Sequence, residues 1–126
     1  MTGERILVVE DNELNMKLFR DVLVATGYRT LEATSGGEAV ELATEHEPDL
    51  VLMDIQLPDL GGVQALGRLR ANDRTASIPV LALTAQAMDG DRERFLAAGF
   101  DGYLSKPVNV RELVGAVRLE CGGGAR

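Results

Sequence analysis

The sequence predicts an α/β protein: a doubly wound parallel sheet of five strands alternating with five helices. Two observations carry this. Ile6-Leu7-Val8-Val9, Leu50-Val51-Leu52-Met53 and Val80-Leu81-Ala82-Leu83 are apolar throughout and do not alternate with polar residues. Strands of that kind are covered on both faces, as in a parallel sheet. Between the runs lie stretches with helical spacing, and strands that alternate with helices imply right-handed crossovers.

After the first strand, Leu14, Leu18 and Val22 fall four apart with Phe19 and Leu23 beside them, which predicts an amphipathic helix over 13–26. Gly27 is placed to end it. Residues 28–33 read as a shorter second strand. Ser35 caps a helix over 36–46, which Pro48 and Asp49 terminate. The third strand, Leu50 to Met53, leads to Gly61-Gly62 and a third helix ending near Arg70. Pro79 starts the fourth strand. A fourth helix over 87–98 stops at Gly99, residues 101–105 form the fifth strand, and Asn109 caps a last helix over 110–120. The sequence reads as one domain over 4–120 with no internal repeat or linker, followed by a flexible glycine-rich tail over 121–126.

The chain has 126 residues, 26% charged and 45% apolar, which suits one soluble domain. Twenty acids against thirteen bases give a net charge of −7, which argues against nucleic acid as a direct partner. The absence of Trp, with three Phe and two Tyr, argues against an aromatic platform for bases. Cys121 is the only cysteine and His46 the only histidine, so neither a disulfide nor a Cys/His zinc site can form. Any metal needs oxygen ligands: Mg²⁺, Ca²⁺ or Mn²⁺. No apolar run is long enough for a signal peptide or a membrane span, so a cytoplasmic protein is expected.

In an open parallel sheet, function gathers at the carboxyl ends of the strands. The first strand ends in Glu10-Asp11, the third in Asp54, the fourth in Thr84, and the fifth in Ser105-Lys106-Pro107. Three carboxylates converging at one edge repel unless they hold a cation, and with a backbone carbonyl and waters they suit Mg²⁺. Lys106 is too little charge to neutralise three acids and suits an anion held beside the metal. Metal, lysine and hydroxyl together match a phosphoryl group, with Asp54 as nucleophile. Taken singly, each residue has a plainer role: Asp54 a turn former, Glu10-Asp11-Asn12 and Thr84 helix caps, Lys106 a surface charge. Lys106-Pro107 marks a turn and a candidate cis peptide. Four independent strand ends agreeing outweighs those roles.

At these residues the sequence resembles the receiver domain of two-component signalling, the flavodoxin/CheY-like family, over nearly the whole chain. The matching segments are residues 6–12, 48–54, Leu57-Pro58 followed by Gly62, 79–85 and 98–107. The run from Val9 to Phe19, with 53–58, resembles a narrower group of single-domain regulators of cell division. The resemblance implies the strand order 2-1-3-4-5. It implies that Asp54 accepts a phosphoryl group from a histidine kinase or phosphotransfer protein. It also implies that Asp11, Asp54 and the Gln56 backbone carbonyl hold Mg²⁺ (Mn²⁺ as substitute), with Glu10 acting through water. Thr84 and Lys106 would bind phosphoryl oxygens, Ala85 would leave the site open, and Tyr103 would be the switch residue that follows Thr84. Glu10 stands where many receivers have Asp.

The expected behaviour is a non-turnover switch in a phosphorelay that acts through a state-dependent protein target. Gln56 and Gln86, two residues beyond Asp54 and Thr84, are expected to shape water access. The first helix near Asn15, Met16 and Phe19 is the expected docking face for the phosphoryl donor, and the fourth helix with the fifth strand the output face. The main alternative is a receiver cut from a hybrid histidine kinase. A haloacid-dehalogenase-type phosphatase needs a second acid where Gln56 stands, and a flavodoxin needs a phosphate loop where Asp11 stands.

Overall fold

Strands and helices alternate through the computed structural model, which describes residues 4–57, 59–85 and 91–121. They are β1 (Arg5–Val9), α1 (Glu13–Ala25), β2 (Arg29–Ala33), α2 (Gly36–His46), β3 (Leu50–Asp54), α3 (Gly62–Arg70), β4 (Val80–Thr84), α4 (Asp91–Ala98), β5 (Gly102–Ser105) and α5 (Val110–Glu120). The sheet order is β2-β1-β3-β4-β5, all parallel. The chain therefore steps to one side of β1 for β2 and to the other side for β3, which opens a crevice at the carboxyl ends of β1 and β3.

Strand alternation splits the core into two layers. Leu7, Val9, Val51, Met53, Val80 and Ala82 pack under α2, α3 and α4, against Ala39, Ala43, Leu66, Leu69 and Phe95. Ile6, Val8, Leu50, Leu52, Leu81 and Leu83 pack under α1 and α5, against Phe19, Leu23, Leu113 and Val117. β3 and β4 are buried at every position, which is why their sequences do not alternate. β2 is an edge strand; Arg29 and Glu32 are exposed on it, a charged edge that discourages pairing with another chain.

Helix ends follow their caps. The side chains of Asn12, Ser35 and Asn109 accept from Asn15 N, Glu38 N and Arg111 N. Gly27 (φ 102°) and Gly99 (φ 112°) take the left-handed conformation that lets the chain leave α1 and α4. α2 ends differently: Glu47 itself is left-handed (φ 47°), one residue before Pro48. The fourth helix was expected from 87; residues 87–90, and the tail from 122 on, lie outside the described residues, as does Gln86.

One expectation fails at α1. The helix is present, but its buried stripe is Met16, Phe19 and Leu23, while Leu14 is 79% exposed and Leu18 41%. At 3.6 residues per turn Leu14 stands about 170° and Leu18 about 130° from the middle of that stripe. Two apolar stripes compete for the sheet, and the one with the Phe ring and Met side chain buries more area. Phe19 and Met16 are therefore not a docking face, being 2% and 6% exposed.

Close approach at the crevice requires glycine. A Cβ on Gly62 would stand 2.6 Å from the Asp54 carbonyl oxygen, and one on Gly36 2.4 Å from that of Leu60. The Gly62 N–H donates to the Ile55 carbonyl (3.0 Å), and Asp59 accepts from Gly36 N (2.9 Å) and Gly37 N (3.1 Å) at the start of α2. These contacts tie the β3–α3 loop to α2 and fix the path of the backbone beyond Asp54.

Candidate functional site

The strand ladders continue past the strand ends. Glu10 N donates to Ala33 O (3.0 Å), Ile55 N to Leu83 O (3.0 Å) and Lys106 N to Thr84 O (2.7 Å). Backbone pairing thus sets Glu10, Asp54, Thr84 and Lys106 along one sheet edge. Asn12 supplies the cap of α1, so Glu10 and Asp11 are not used for it; Glu10 instead accepts from Asn12 N (3.2 Å).

Glu10, Asp11 and Asp54 each present a carboxylate oxygen within 4.8 Å of the others. Glu10 and Asp54 are buried and Asp11 is exposed. The Lys106 ammonium lies 2.8 Å from Asp54 Oδ2 and 2.7 Å from Glu10 Oε1. Asp54 Oδ1 accepts from Gln56 N (2.9 Å), so both oxygens of this carboxylate are held. Burial pushes the Glu10 carboxyl above its usual range; the charge of Asp54 adds to this, and the Lys106 contact opposes it without cancelling it. Burial alone would lower the Lys106 ammonium, but Asp54 and Glu10 outweigh it and hold it above its usual range.

A cavity of about 590 Å³ opens over the cluster. Among the residues expected at the site, Glu10, Asp11, Asp54, Gln56, Thr84, Ala85 and Lys106 line it. Tyr103 packs instead on the Phe95 ring, with centroids 5.5 Å apart. The Lys106–Pro107 peptide is cis. The cavity wall also holds Asn15, Arg94 and Phe95, which reasoning from strand ends did not find because they reach the cavity from helices.

The donor set fits a hard divalent cation. Three carboxylates with one ammonium among them leave a surplus of negative charge on oxygen ligands alone. The same wall offers a hydroxyl and an ammonium to an anion.

Comparison with known proteins gives the family. The family model of the response regulator receiver domain matches residues 6–118. The chain belongs to that family. It is 48% identical over 117 residues, 93% of this chain and 95% of the relative, to the polar-differentiation response regulator DivK of Brucella anthropi. It is similar in structure to the receiver domain of sensor histidine kinase PA1611 from Pseudomonas aeruginosa PAO1, solved with a magnesium ion coordinated in the active site cleft. That match has TM-score 0.88 and 39% identity, covering 96% of this chain and 99% of that one. The chemotaxis protein CheY4 of Vibrio cholerae shares the fold at TM-score 0.87 and 24% identity, covering 94% of this chain and 98% of that one. Receiver domains are switches of two-component systems that interact with histidine kinases and phosphotransfer proteins and bind Mg²⁺ in the active site.

Proposed function

We propose that the chain is a single-domain response regulator, with receiver unit 4–120, whose Asp54 takes a phosphoryl group from a histidine kinase or phosphotransfer protein. The observation that carries this reading is the cluster itself: three carboxylates within 4.8 Å, two of them bridged by Lys106, at a sheet edge facing an open cavity. An Asp54 oxygen bonds phosphorus while the bond from phosphorus to the donor imidazole nitrogen breaks, the electron pair staying on that nitrogen. The Gln56 N–H and Lys106 ammonium hold Asp54 in one orientation before transfer. Afterwards Lys106 and the Thr84 hydroxyl face the new oxygens, and Ala85 places no bulk before them. Bound Mg²⁺ (or Mn²⁺), held by Asp11, Asp54 and the Gln56 carbonyl with Glu10 through water, would neutralise charge on the transferring group.

The phosphoryl group adds negative charge where Thr84 and Lys106 can follow it. Thr84 moves toward it, and Tyr103 takes the vacated space. The surface around α4 and β5 is then presented in a second state to a protein target. One phosphoryl group sets one switch, so the protein is not a turnover enzyme. Leu14 and Leu18, exposed on α1, take the donor-docking role that the buried Met16 and Phe19 cannot fill. Likeness to DivK supports a role in cell division and polar recruitment by partners in the cytoplasm. Among the described residues no helix is long and apolar enough to cross a membrane.

Incubation with acetyl phosphate and Mg²⁺, read by intact mass, should label the protein once. Asp54→Asn should abolish the label. Equal labelling of that variant would end the proposal. A second reading, the receiver of a hybrid histidine kinase, is favoured by the similarity to the PA1611 receiver. The genomic reading frame around the chain decides between them.

A further inference from the structure

Among the described residues, two cationic side chains line the acid cavity, Lys106 and Arg94. Lys106 is committed to Asp54 and Glu10. Arg94 is exposed on α4, its guanidinium carbon 5.2 Å from the centroid of the Phe95 ring. That contact seats the guanidinium over the ring at the cavity wall. Phe95 is itself buried, and its ring meets Tyr103 at 5.5 Å and, edge-on, Phe100 at 5.9 Å. The ring under the cavity's second cation is thus the ring that supports Tyr103.

We propose that Arg94 is a second phosphoryl-binding residue, and that through Phe95 it couples the acyl phosphate to Tyr103. The inference rests on the reading of Asp54 as phosphoryl acceptor. With a divalent ion bound, the three carboxylates would be matched by that ion and Lys106, and the resting cluster would exert little net pull on Arg94. Phosphorylation replaces the single charge of Asp54 by about two on the phosphoryl oxygens. The surplus negative charge faces the cavity, where Arg94 is the second cation on the wall. A guanidinium stays charged at any working pH and offers a planar fork to phosphoryl oxygens. Arg94 is therefore drawn to the phosphorylated state more than to the resting one, as any switching contact must be. In turning to the phosphoryl group it leaves the face of Phe95, and the packing of Phe95 on Tyr103 changes with it.

The chain has no Trp and two Tyr, so in a Tyr28→Phe background Tyr103 is the sole tyrosine and its emission reports the switch. The probes are Mg²⁺ alone, beryllofluoride with saturating Mg²⁺, and acetyl phosphate. With acetyl phosphate the bond from phosphorus to the acetate oxygen breaks, acetate leaves with the electron pair, and Asp54 bonds phosphorus. Arg94→Ala should raise the beryllofluoride concentration for half-maximal Tyr103 response about tenfold, the loss of one charge-assisted contact, and shrink its amplitude. Arg94→Lys should recover part of the affinity. Mg²⁺ affinity should be unchanged or tighter in Arg94→Ala, because a cation has been removed. An unchanged beryllofluoride midpoint and amplitude in Arg94→Ala overturns the proposal. So does a parallel loss of Mg²⁺ affinity, which would mean general damage to the site. If the parent protein neither responds to beryllofluoride nor labels at Asp54, the acceptor reading fails and this one falls with it; a responsive parent with an indifferent Arg94→Ala removes Arg94 alone.

Discussion

Lys106 Nζ lies 2.8 Å from Asp54 Oδ2, with Glu10 Oε1 2.7 Å away on the same ammonium. One lysine therefore stands within the carboxylate cluster, and on the proposed function it would compete with a bound metal for the same carboxylates. Lys106→Met should tighten Mg²⁺ binding by about tenfold, since a neighbouring positive charge is lost, while slowing phosphoryl uptake from acetyl phosphate by about a hundredfold. Calorimetric Mg²⁺ titration and timed intact-mass labelling measure the two. Weaker Mg²⁺ binding in Lys106→Met would show that the lysine organises the carboxylates rather than competing for them. The Lys106 pKa is raised by its carboxylate partners, so its stabilising share is complete below its unfolded value of 10.5 and is lost only as pH climbs past it.

The two stripes of α1 separate by truncation. Phe19 is 2% exposed in the layer under α1 and α5, whereas Leu14 is 79% exposed. Phe19→Ala should cost about 3–5 kcal/mol of stability, and Leu14→Ala no more than about 0.5 kcal/mol. Urea unfolding followed by circular dichroism gives both. A Leu14→Ala loss comparable to that of Phe19→Ala would mean that the helix sits the other way round. Leu14→Ala in the folded protein then isolates the docking role: transfer from a phosphohistidine donor should slow while labelling by acetyl phosphate holds.

The strands were legible because β3 and β4 are buried at every position, and an apolar run this short between polar and turn-forming neighbours suits a covered strand by its length, where a buried helix segment would run longer. Their ends were legible because a polar residue closing such a run must emerge at the sheet edge. The face of α1 was not: Leu14-Leu18-Val22 and Met16-Phe19-Leu23 both have helical spacing, and only packing against the sheet chooses between them. Arg94 and Phe95 reach the cavity through the placement of a helix, which no strand-end pattern encodes. Arg70 was silent for another reason: its partners are mostly backbone carbonyls, which leave no mark on a sequence.

Arg70 at the end of α3 donates to the carbonyls of Ala76 (3.0 Å), Ile78 (2.6 Å) and Gly99 (2.9 Å), and to Asp101 Oδ2 (3.0 Å). Asp101 Oδ2 also accepts from Val80 N (2.8 Å). One guanidinium thus joins α3, the segment entering β4 and the turn between α4 and β5, at the sheet end away from the cavity. Arg70→Ala should cost about 2–4 kcal/mol, because several part-buried acceptors lose their donor together. Arg70→Lys should recover little, since an ammonium cannot reproduce the fork. Thermal unfolding of both variants decides this. Full rescue by lysine would reduce the clamp to a simple charge effect, and acetyl phosphate labelling of the folded variants should stay near that of the parent.

Cys121 ends α5, half-buried against the layer of Phe19 and Leu23. Burial, with smaller contributions from the carboxylates of Asp49, Glu4 and Glu120, pushes its thiol from 9.0 up to about 12. The thiolate is the reactive form, and a thiol raised that far holds about a thousandfold less of it near neutral pH than an ordinary one. Alkylation by iodoacetamide near pH 8 should therefore run at least about a hundredfold slower than with a free small thiol. Because the native thiol keeps its proton longer than the unfolded one, the native state binds more protons between 9.0 and about 12. Stability is untouched by this group below that window and falls as pH rises through it. Cys121→Ser lacks this titration, so the stability difference between parent and variant should narrow progressively from about pH 9 upward in urea unfolding. A difference that stays flat with pH, or alkylation as fast as a free thiol, would show that the sulfur is solvated and that α5 ends before it packs.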